Sequence, residues 1–471
     1  MSPTPVTPNK IEDDDFIEDL VNYMEDIANK EIYYFQKWDF QSNPFEQRPF
    51  QGDNSSIKSR RNTTFKKILK EILVSFNSYD HILFNAPSGA GKTFLLQELF
   101  AILNTPRINQ TLAKGLRERE KCKIAFIDGF TLRDIDKNER INYLIECGVL
   151  NEDDMNFADI IIIDNFAPIH SFWHELYPKY FGQSYIIASI QTSEFYYLEA
   201  LKNQEIDLPF KEQMIEENQI QLRTNDPLEI FTRQLELPEW DQEQLIELLT
   251  LRITESGNEE ILKKFDSKFL VLLANNSLGL PGLCLDLALD VMKKAIAENV
   301  YELQDEDLYK AFIDPKFSKA AYLLQAYKCK DQPKYLKEFD DNTISVINQL
   351  TKKTRKDLIK RLLISMGGYH IQTKQKWTVG TELEDYLNIN DRTKANDFAL
   401  SLSPTKLAIV LDKTQSTMSY HLNWFQNEEM IDIISPNTIS SFKKSQTSFD
   451  KMILPPSPFA QLFEILLQIS P

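Results

Sequence analysis

At 471 residues, with 42% hydrophobic and 26% charged side chains, the chain exceeds one hydrophobic core and reads as two to four globular domains. No run approaches the ~18 apolar residues of a membrane span, the start Met1-Ser-Pro-Thr-Pro-Val-Thr-Pro lacks the basic lead and apolar centre of a signal peptide, and Cys122, Cys147, Cys284 and Cys329 lie too far apart for C-x-x-C zinc spacing, so a cytoplasmic protein with reduced thiols and no membrane partner is expected. The net charge of −17 opposes nucleic acid, but residues 340–471 carry 15 Lys/Arg against 14 Asp/Glu and all the acid excess precedes them.

In chain order, residues 1–10 form a polar, proline-rich lead, and apolar residues at helical spacing follow in Ile11–Lys37 (Phe16, Leu20, Tyr23, Met24, Ile27). The aromatic segment "WDFQSNPFEQRPF", Trp38 to Phe50, closes this N-terminal part, set at 1–55. Arg60–Phe76 predicts a helix with Phe65, Ile68, Leu69, Ile72, Leu73 and Phe76 on one face. Short apolar runs then alternate with helical patterns: Ile82–Ala86, Lys123–Asp128, Ile160–Asp164, Ser184–Ile190 and Ile230–Leu237. Such alternation predicts an α/β domain with a parallel sheet over 56–240. After Trp240 the strands stop, and Asp241–Thr254, Glu259–Asn275 and Leu283–Glu298 predict a helical domain over 241–315.

The stretch "FNAPSGAGKTFLLQELF", Phe84 to Phe100, runs from strand through loop into helix. A triphosphate needs converging backbone N–H groups, a helix N-terminus, a cation and a hydroxyl for Mg²⁺. Ala86, Pro87, Ser88, Gly89, Ala90, Gly91, Lys92 and Thr93 form the loop; Gly89 and Gly91 permit its turns, Lys92 faces the β/γ-phosphates, and Thr93 is a Mg²⁺ ligand. Ala86 stands where G-x-x-x-x-G-K-[ST] has its first glycine. ATP and Mg²⁺ are the cofactors so implied.

The run "ADIIIIDNFAPIH", Ala158 to His170, suits a strand buried on both faces and ending in an acid at the carboxyl edge of the sheet. Asp164 is thus the second candidate for Mg²⁺, although an N-capping aspartate would look the same. Asn165 occupies the position where many ATPases place a glutamate, and an amide cannot accept a proton from water. Gln191 or Thr192, just past the fourth strand, is a candidate to contact the γ-phosphate or hold a water, although a turn or cap residue would look the same. His170 and His174 share helical spacing but lack a third ligand for zinc.

Taken together, these elements resemble the AAA+ ATPases, within the branch of archaeal origin-recognition initiators, over roughly Asn43 to Phe312. The loop at Ala86–Thr93, Asp164 and the Gln191–Thr192 tip match Walker A, Walker B and sensor 1. "FTRQLELPEWDQEQLIELLTLRI" is similar to the last core strand and first lid helix, and "NNSLGLPGLCLDLA" to the start of the third lid helix. The resemblance implies that "NPFEQRPF" lies near the adenine, that Arg233 and Arg252 are candidate arginine fingers or, the commoner role, surface salt-bridge residues, and that self-assembly or a protein partner is open to the chain. "GLPGLCLD" offers no sensor 2 arginine. With Asn165, that departure implies an ATP hydrolase that is slow alone, because transition-state contacts are weakened more than ground-state ones.

The C-terminal part, 316–471, contains "SPTKLAIVLDKTQSTMSYHLNWFQNEEMIDII", Ser403 to Ile434. A short helix, a turn at Asp412–Thr414, a second helix, a strand and a turn with Lys443 and Lys444 at its tip predict an α+β winged-helix domain. The second helix opens with Gln415, Ser416, Thr417, Ser419 and Tyr420, small polar residues suited to a major groove, and resembles the arsenic-repressor class of DNA readers. Double-stranded DNA is the partner implied, and Lys352, Lys353, Arg355, Lys356, Lys360 and Arg361 are either further phosphate contacts or a solvated helical face. The function expected is nucleotide-regulated DNA binding in replication initiation or a related DNA transaction. Two alternatives are a STAND-like signalling switch whose winged helix binds no DNA, and a transcriptional regulator with a vestigial nucleotide site.

Overall fold

The computed structural model describes residues 35–41, 43–45, 70–72, 74–75, 80–117, 121–136, 139–150, 157–166, 177–203, 228–237, 239–257, 259–373, 404–434 and 452–469. The expected DNA contacts Lys443 and Lys444, the pair His170 and His174, the helix of Ile11–Lys37 up to residue 34, and residues 60–69, 73 and 76 of the helix expected over Arg60–Phe76 lie outside them.

Five parallel strands, β1 (Ile82–Ala86), β2 (Ile124–Asp128), β3 (Ile160–Asp164), β4 (Tyr185–Gln191) and β5 (Arg233–Glu236), form one sheet in the order β2-β3-β4-β1-β5. This is the parallel α/β core that the alternation of apolar runs and helical patterns predicts. All residues of β3 and β4 are buried, as their uninterrupted apolar sequences require of strands covered on both faces. The expected strand ends hold to within three residues; Ile230 lies in a turn before β5. Register decides what meets at the carboxyl edge: Ala86 pairs with Gln191 and Asp128 with Asp164. Loop, acid and sensor thus share one row.

Helices α1 (Lys92–Leu103), α2 (Pro106–Arg117), α3 (Gly129–Asp134), α4 (Arg140–Glu146) and α5 (Thr192–Lys202) accompany the sheet. The lid begins with α6 (Gln242–Ser256), started by a capping box between Asp241 and Gln244. The single helix expected over 259–275 is divided into a 3₁₀ turn, Glu259–Lys264, and α7 (Ser267–Asn276), because Asp266 caps the second piece through the Lys268 N–H. Next come α8 (Pro281–Ala297) and α9 (Glu306–Phe312).

The C-terminal part contains α10 (Pro315–Lys328), α11 (Pro333–Leu336), α12 (Asp341–Leu350), α13 (Lys353–Thr373), α14 (Pro404–Val410), α15 (Gln415–Asn427), the antiparallel pair β6 (Asp432–Ile434) and β7 (Met452–Leu454), and α16 (Phe459–Ile469). One apolar cluster runs from the lid through α10 and α12 to α15 and α16. The aromatic segment joins it: Trp38 is fully buried and stacks on Phe265 at 5.2 Å. No helix among the described residues is long and apolar enough to cross a membrane.

Two glycines inside α13 hold it against the core. A Cβ on Gly367 would lie 2.1 Å from the Ser193 carbonyl oxygen, and one on Gly368 2.6 Å from the Tyr197 ring. Mid-helix glycine costs about 1 kcal/mol relative to alanine. Here it allows α13 to press on α5 with backbone nearly touching backbone.

Candidate functional site

A cavity of about 440 Å³ opens where the carboxyl edge of the sheet meets the lid. Ser88–Thr93, Asp164, Asn165 and Gln191 line it, so the expected loop, acid and sensor do converge. Gly89 and Gly91 have φ of 79° and 84°, and Gly91 is the N-cap of α1, whose first N–H groups face the loop. Non-glycine residues disfavour that region. Ala86 needs no such freedom: it is the last residue of β1 and its carbonyl, with that of Pro87, accepts hydrogen bonds from Lys92 Nζ at 3.0 and 2.9 Å.

Asp164 is buried, and its Oδ1 accepts from Ser189 Oγ at 2.6 Å. Asn165, with a φ of 52°, donates through Nδ2 to Asp128 Oδ1 at 3.0 Å. Asparagine tolerates this left-handed backbone and bridges two strand ends. Thr93 lines the cavity with Asp164, and hydroxyl plus carboxylate oxygen is a donor set that fits Mg²⁺.

Of the two sensor candidates only Gln191 faces the cavity. Thr192 is fully buried; its hydroxyl donates to Asn85 Oδ1 at 3.0 Å and accepts from Gln468 Nε2 at 2.8 Å. The arginine candidates also separate. Arg233 is held at the sheet edge by Glu71 and Asp80 at 3.3 and 3.6 Å, whereas Arg252 of α6 lines the cavity. The described residues of the aromatic segment pack on the lid and not on the cavity; its aromatic wall is instead Phe94 and Trp240, with ring centroids 6.2 Å apart.

The lid touches the loop directly. Gly282 N–H donates to Gly89 O at 2.8 Å, and a Cβ on Gly282 would lie 2.7 Å from Gly89 Cα. "GLPG" therefore carries close approach where an arginine was sought.

Two residues of the C-terminal part reach this region unannounced by any motif: His370 lines the cavity, and Glu464 bonds to the lining residues Ser88 and Gln191. Glu464 of α16, 1% exposed, accepts from Ser88 N at 2.8 Å, Ser193 N at 3.0 Å and Gln191 Nε2 at 3.1 Å. A lone glutamate within the apolar helix Phe459–Ile469 was the available signal. His370 of α13, 5% exposed, lines the cavity with Nδ1 2.5 Å from Glu194 Oε1. Burial alone would raise the Glu194 carboxyl, but His370, the Gln191 N–H and Lys92 hold it below its ordinary value.

Around α15 the exposed expected residues are Gln415, Ser416 and Tyr420, the last 63% exposed, while Thr417 and Ser419 are half-buried. Thr414 caps the helix through the Thr417 N–H and meets the Ser416 and Thr417 hydroxyls at 2.9 and 2.8 Å. Arg355 is fully buried with its guanidinium 3.6 Å over Trp424, and Arg361 is buried as well, so neither is a surface phosphate contact. Lys352 and Lys353 are exposed. His421 is half-buried and held below its ordinary pKa by burial and by the charges of Arg355, Lys352 and Lys413. Among the described residues no group of His, Cys, Asp or Glu is arranged as a multi-ligand metal site.

No protein-family model and no curated protein matches the chain. Among solved structures it is similar to the Thermotoga maritima RuvB Holliday junction branch migration motor, at 14% identity over 79% of this chain and 89% of that one with a TM-score of 0.30. It is also similar to the Aeropyrum pernix ORC2 protein in ADPNP–ADP complexes, at 14% identity over 91% and 97% with a TM-score of 0.34. The Aeropyrum pernix ORC1 protein in complex with DNA is similar at 12% identity over 87% and 92%, again with a TM-score of 0.34. Likeness at this level leaves ligand and activity to be argued from the residues themselves.

Proposed function

We propose that the chain is an AAA+ ATP-binding protein, slow in hydrolysis, whose nucleotide state sets the posture of a C-terminal winged helix that binds double-stranded DNA, in replication initiation or a related DNA transaction. Backbone N–H groups of Ser88–Thr93 and the Lys92 ammonium hold the phosphates, Thr93 and Asp164 hold Mg²⁺, and Phe94 with Trp240 offers a stacking face for the base. Mg²⁺, when bound, neutralises phosphate charge.

The observation that carries the reading is Glu464. Its carboxylate takes the N–H of Ser88, at the entry to the loop, and the side-chain amide of Gln191, the sensor candidate that lines the cavity, donors that this reading gives to the phosphates. Two anions cannot share those donors. ATP therefore displaces Glu464, and with it α16, whose Phe463 packs edge-on against Phe425 of α15 at 5.8 Å. The displacement reaches the DNA-reading helix through adjacent residues. Titration of the full chain with duplex DNA, with and without Mg·ATP, tests this: affinity changes with ATP, and identical isotherms contradict the coupling.

A second reading has its own observation. Ile409 is 75% exposed and Val410 40%, beside α15, an apolar edge that suits a protein contact better than phosphates. A signalling switch without DNA follows if no duplex binds in either nucleotide state.

A further inference from the structure

The cavity has lost one chemical function and contains another that could supply it. Asn165 stands where a carboxylate would accept a proton from the attacking water, and its amide is committed to Asp128. Across the same cavity, His370 and Glu194 form a buried pair that no nucleotide-binding motif calls for. Nδ1 of His370 lies 2.5 Å from Glu194 Oε1, while Nε2 is buried without a hydrogen-bond partner. A buried imidazole nitrogen without a partner is costly and marks a group kept for another purpose.

We propose that His370, oriented by Glu194, takes the proton of the attacking water in place of the carboxylate absent at position 165. The inference rests on the cavity being an ATP site. Glu194 is placed to do this: its other oxygen accepts the Gln191 N–H at 2.9 Å, so the carboxylate is fixed to the sensor residue itself. Its carboxyl lies below the ordinary value, which keeps it charged against the imidazole. Phe130 closes the other side edge-on, with centroids 5.4 Å apart, and the glycines at 367 and 368 bring the His370 turn into range of α5. With Nδ1–H turned to Glu194, Nε2 is the acceptor.

The step balances without a further reactant. As the water oxygen bonds to the γ-phosphorus, one of its protons passes to Nε2; the bond to the β,γ-bridging oxygen breaks and its electron pair leaves on ADP. His370 then returns the proton to phosphate or solvent. Because α13 is tied to α5 by its glycines, His370 stays with the core when α16 is displaced.

Three measurements on the full chain test the pair. Equilibrium binding of a fluorescent ATP analogue establishes the site; a wild-type chain that binds none overturns the site reading and the pair with it. Single-turnover hydrolysis then separates the two: His370→Gln lowers the rate about 100-fold or more, the scale of general-base catalysis, while the dissociation constant moves less than about threefold. Retained binding with an unchanged rate overturns the pair alone, as does a wild-type chain that binds ATP and never cleaves it. Nitrogen-15 spectra of histidine-labelled protein give a readout independent of turnover. The Nδ1–H tautomer is expected for His370 and its dominance is lost in Glu194→Gln; a wild-type Nε2–H tautomer contradicts the assignment.

Discussion

Glu464 Oε2 lies 2.8 Å from the backbone nitrogen of Ser88, a residue 376 positions earlier in the chain. A phosphate loop is a concentration of N–H donors at a helix N-terminus, and such donors favour any anion that reaches them. In this chain the anion is a side chain of the last helix. Gln468, one turn further along, donates to the Asn85 carbonyl at 3.1 Å and so fixes the same helix to the first strand. The C-terminal part is thereby fastened to the loop and the first strand by polar contacts.

Lys92→Ala removes the ammonium that now bonds to the Ala86 and Pro87 carbonyls and that faces the β/γ-phosphates when nucleotide binds. A charge-assisted contact contributes about 1.5–3 kcal/mol, so ATP affinity falls tenfold or more. Calorimetric titration reads the change, and an unchanged isotherm contradicts the loop assignment.

At position 165 the backbone argues against simple restoration of the missing acid. Asn165→Glu places a long side chain at a φ of 52° and exchanges a hydrogen bond to Asp128 for a second carboxylate beside it. The variant loses about 1–2 kcal/mol of stability from left-handed strain alone. It gains no turnover, and the wild-type rate stays below about 1 s⁻¹, the lower end of ordinary enzymes. Thermal melts and phosphate release check both statements; a faster variant of wild-type stability contradicts them.

Glycine to alanine within a helix ordinarily stabilises it. Gly367→Ala does the reverse, because its Cβ meets the Ser193 carbonyl at 2.1 Å and forces α13 off α5. Overpacking of this kind costs about 1–3 kcal/mol. A raised melting temperature would show that the two helices are not packed as described.

For DNA the expectation divides by residue. Lys443→Ala with Lys444→Ala weakens binding to all duplexes alike and flattens the log–log salt dependence by about two phosphate contacts, each near −0.9. Changes at Gln415 or Tyr420, two of the exposed residues at the α15 start, alter which sequence is preferred. Electrophoretic shifts over a salt series distinguish the two; a sequence-selective loss on removing the lysines contradicts the division.

What could be read before folding was whatever repeats locally. Four isoleucines ending in Asp164 announce a buried strand and its acid, and Gly-x-Gly-Lys-Thr announces the loop, since each is a pattern within a few residues. Glu464 and His370 have no such neighbours. Each is one side chain of a helix with no motif around it, and only the packing of α13 and α16 onto the core brings them beside the loop and Gln191. The glycine pair at 367 and 368 was a visible irregularity in a helical pattern, but its meaning lay in Ser193 and Tyr197. Likewise Arg355 looks like one basic residue among several until Trp424 covers its guanidinium.

The central claim is that ATP and Glu464 exclude one another. Spin labels at Asn104, exposed at the end of α1, and Ile469, exposed at the end of α16, report the separation of loop domain and last helix. Pulsed dipolar spectroscopy should give one distance for the nucleotide-free chain and a longer one with Mg·ATP, whereas Glu464→Gln shifts toward the longer distance at lower ATP. A single distance in all states, unaffected by Glu464→Gln, would contradict the account.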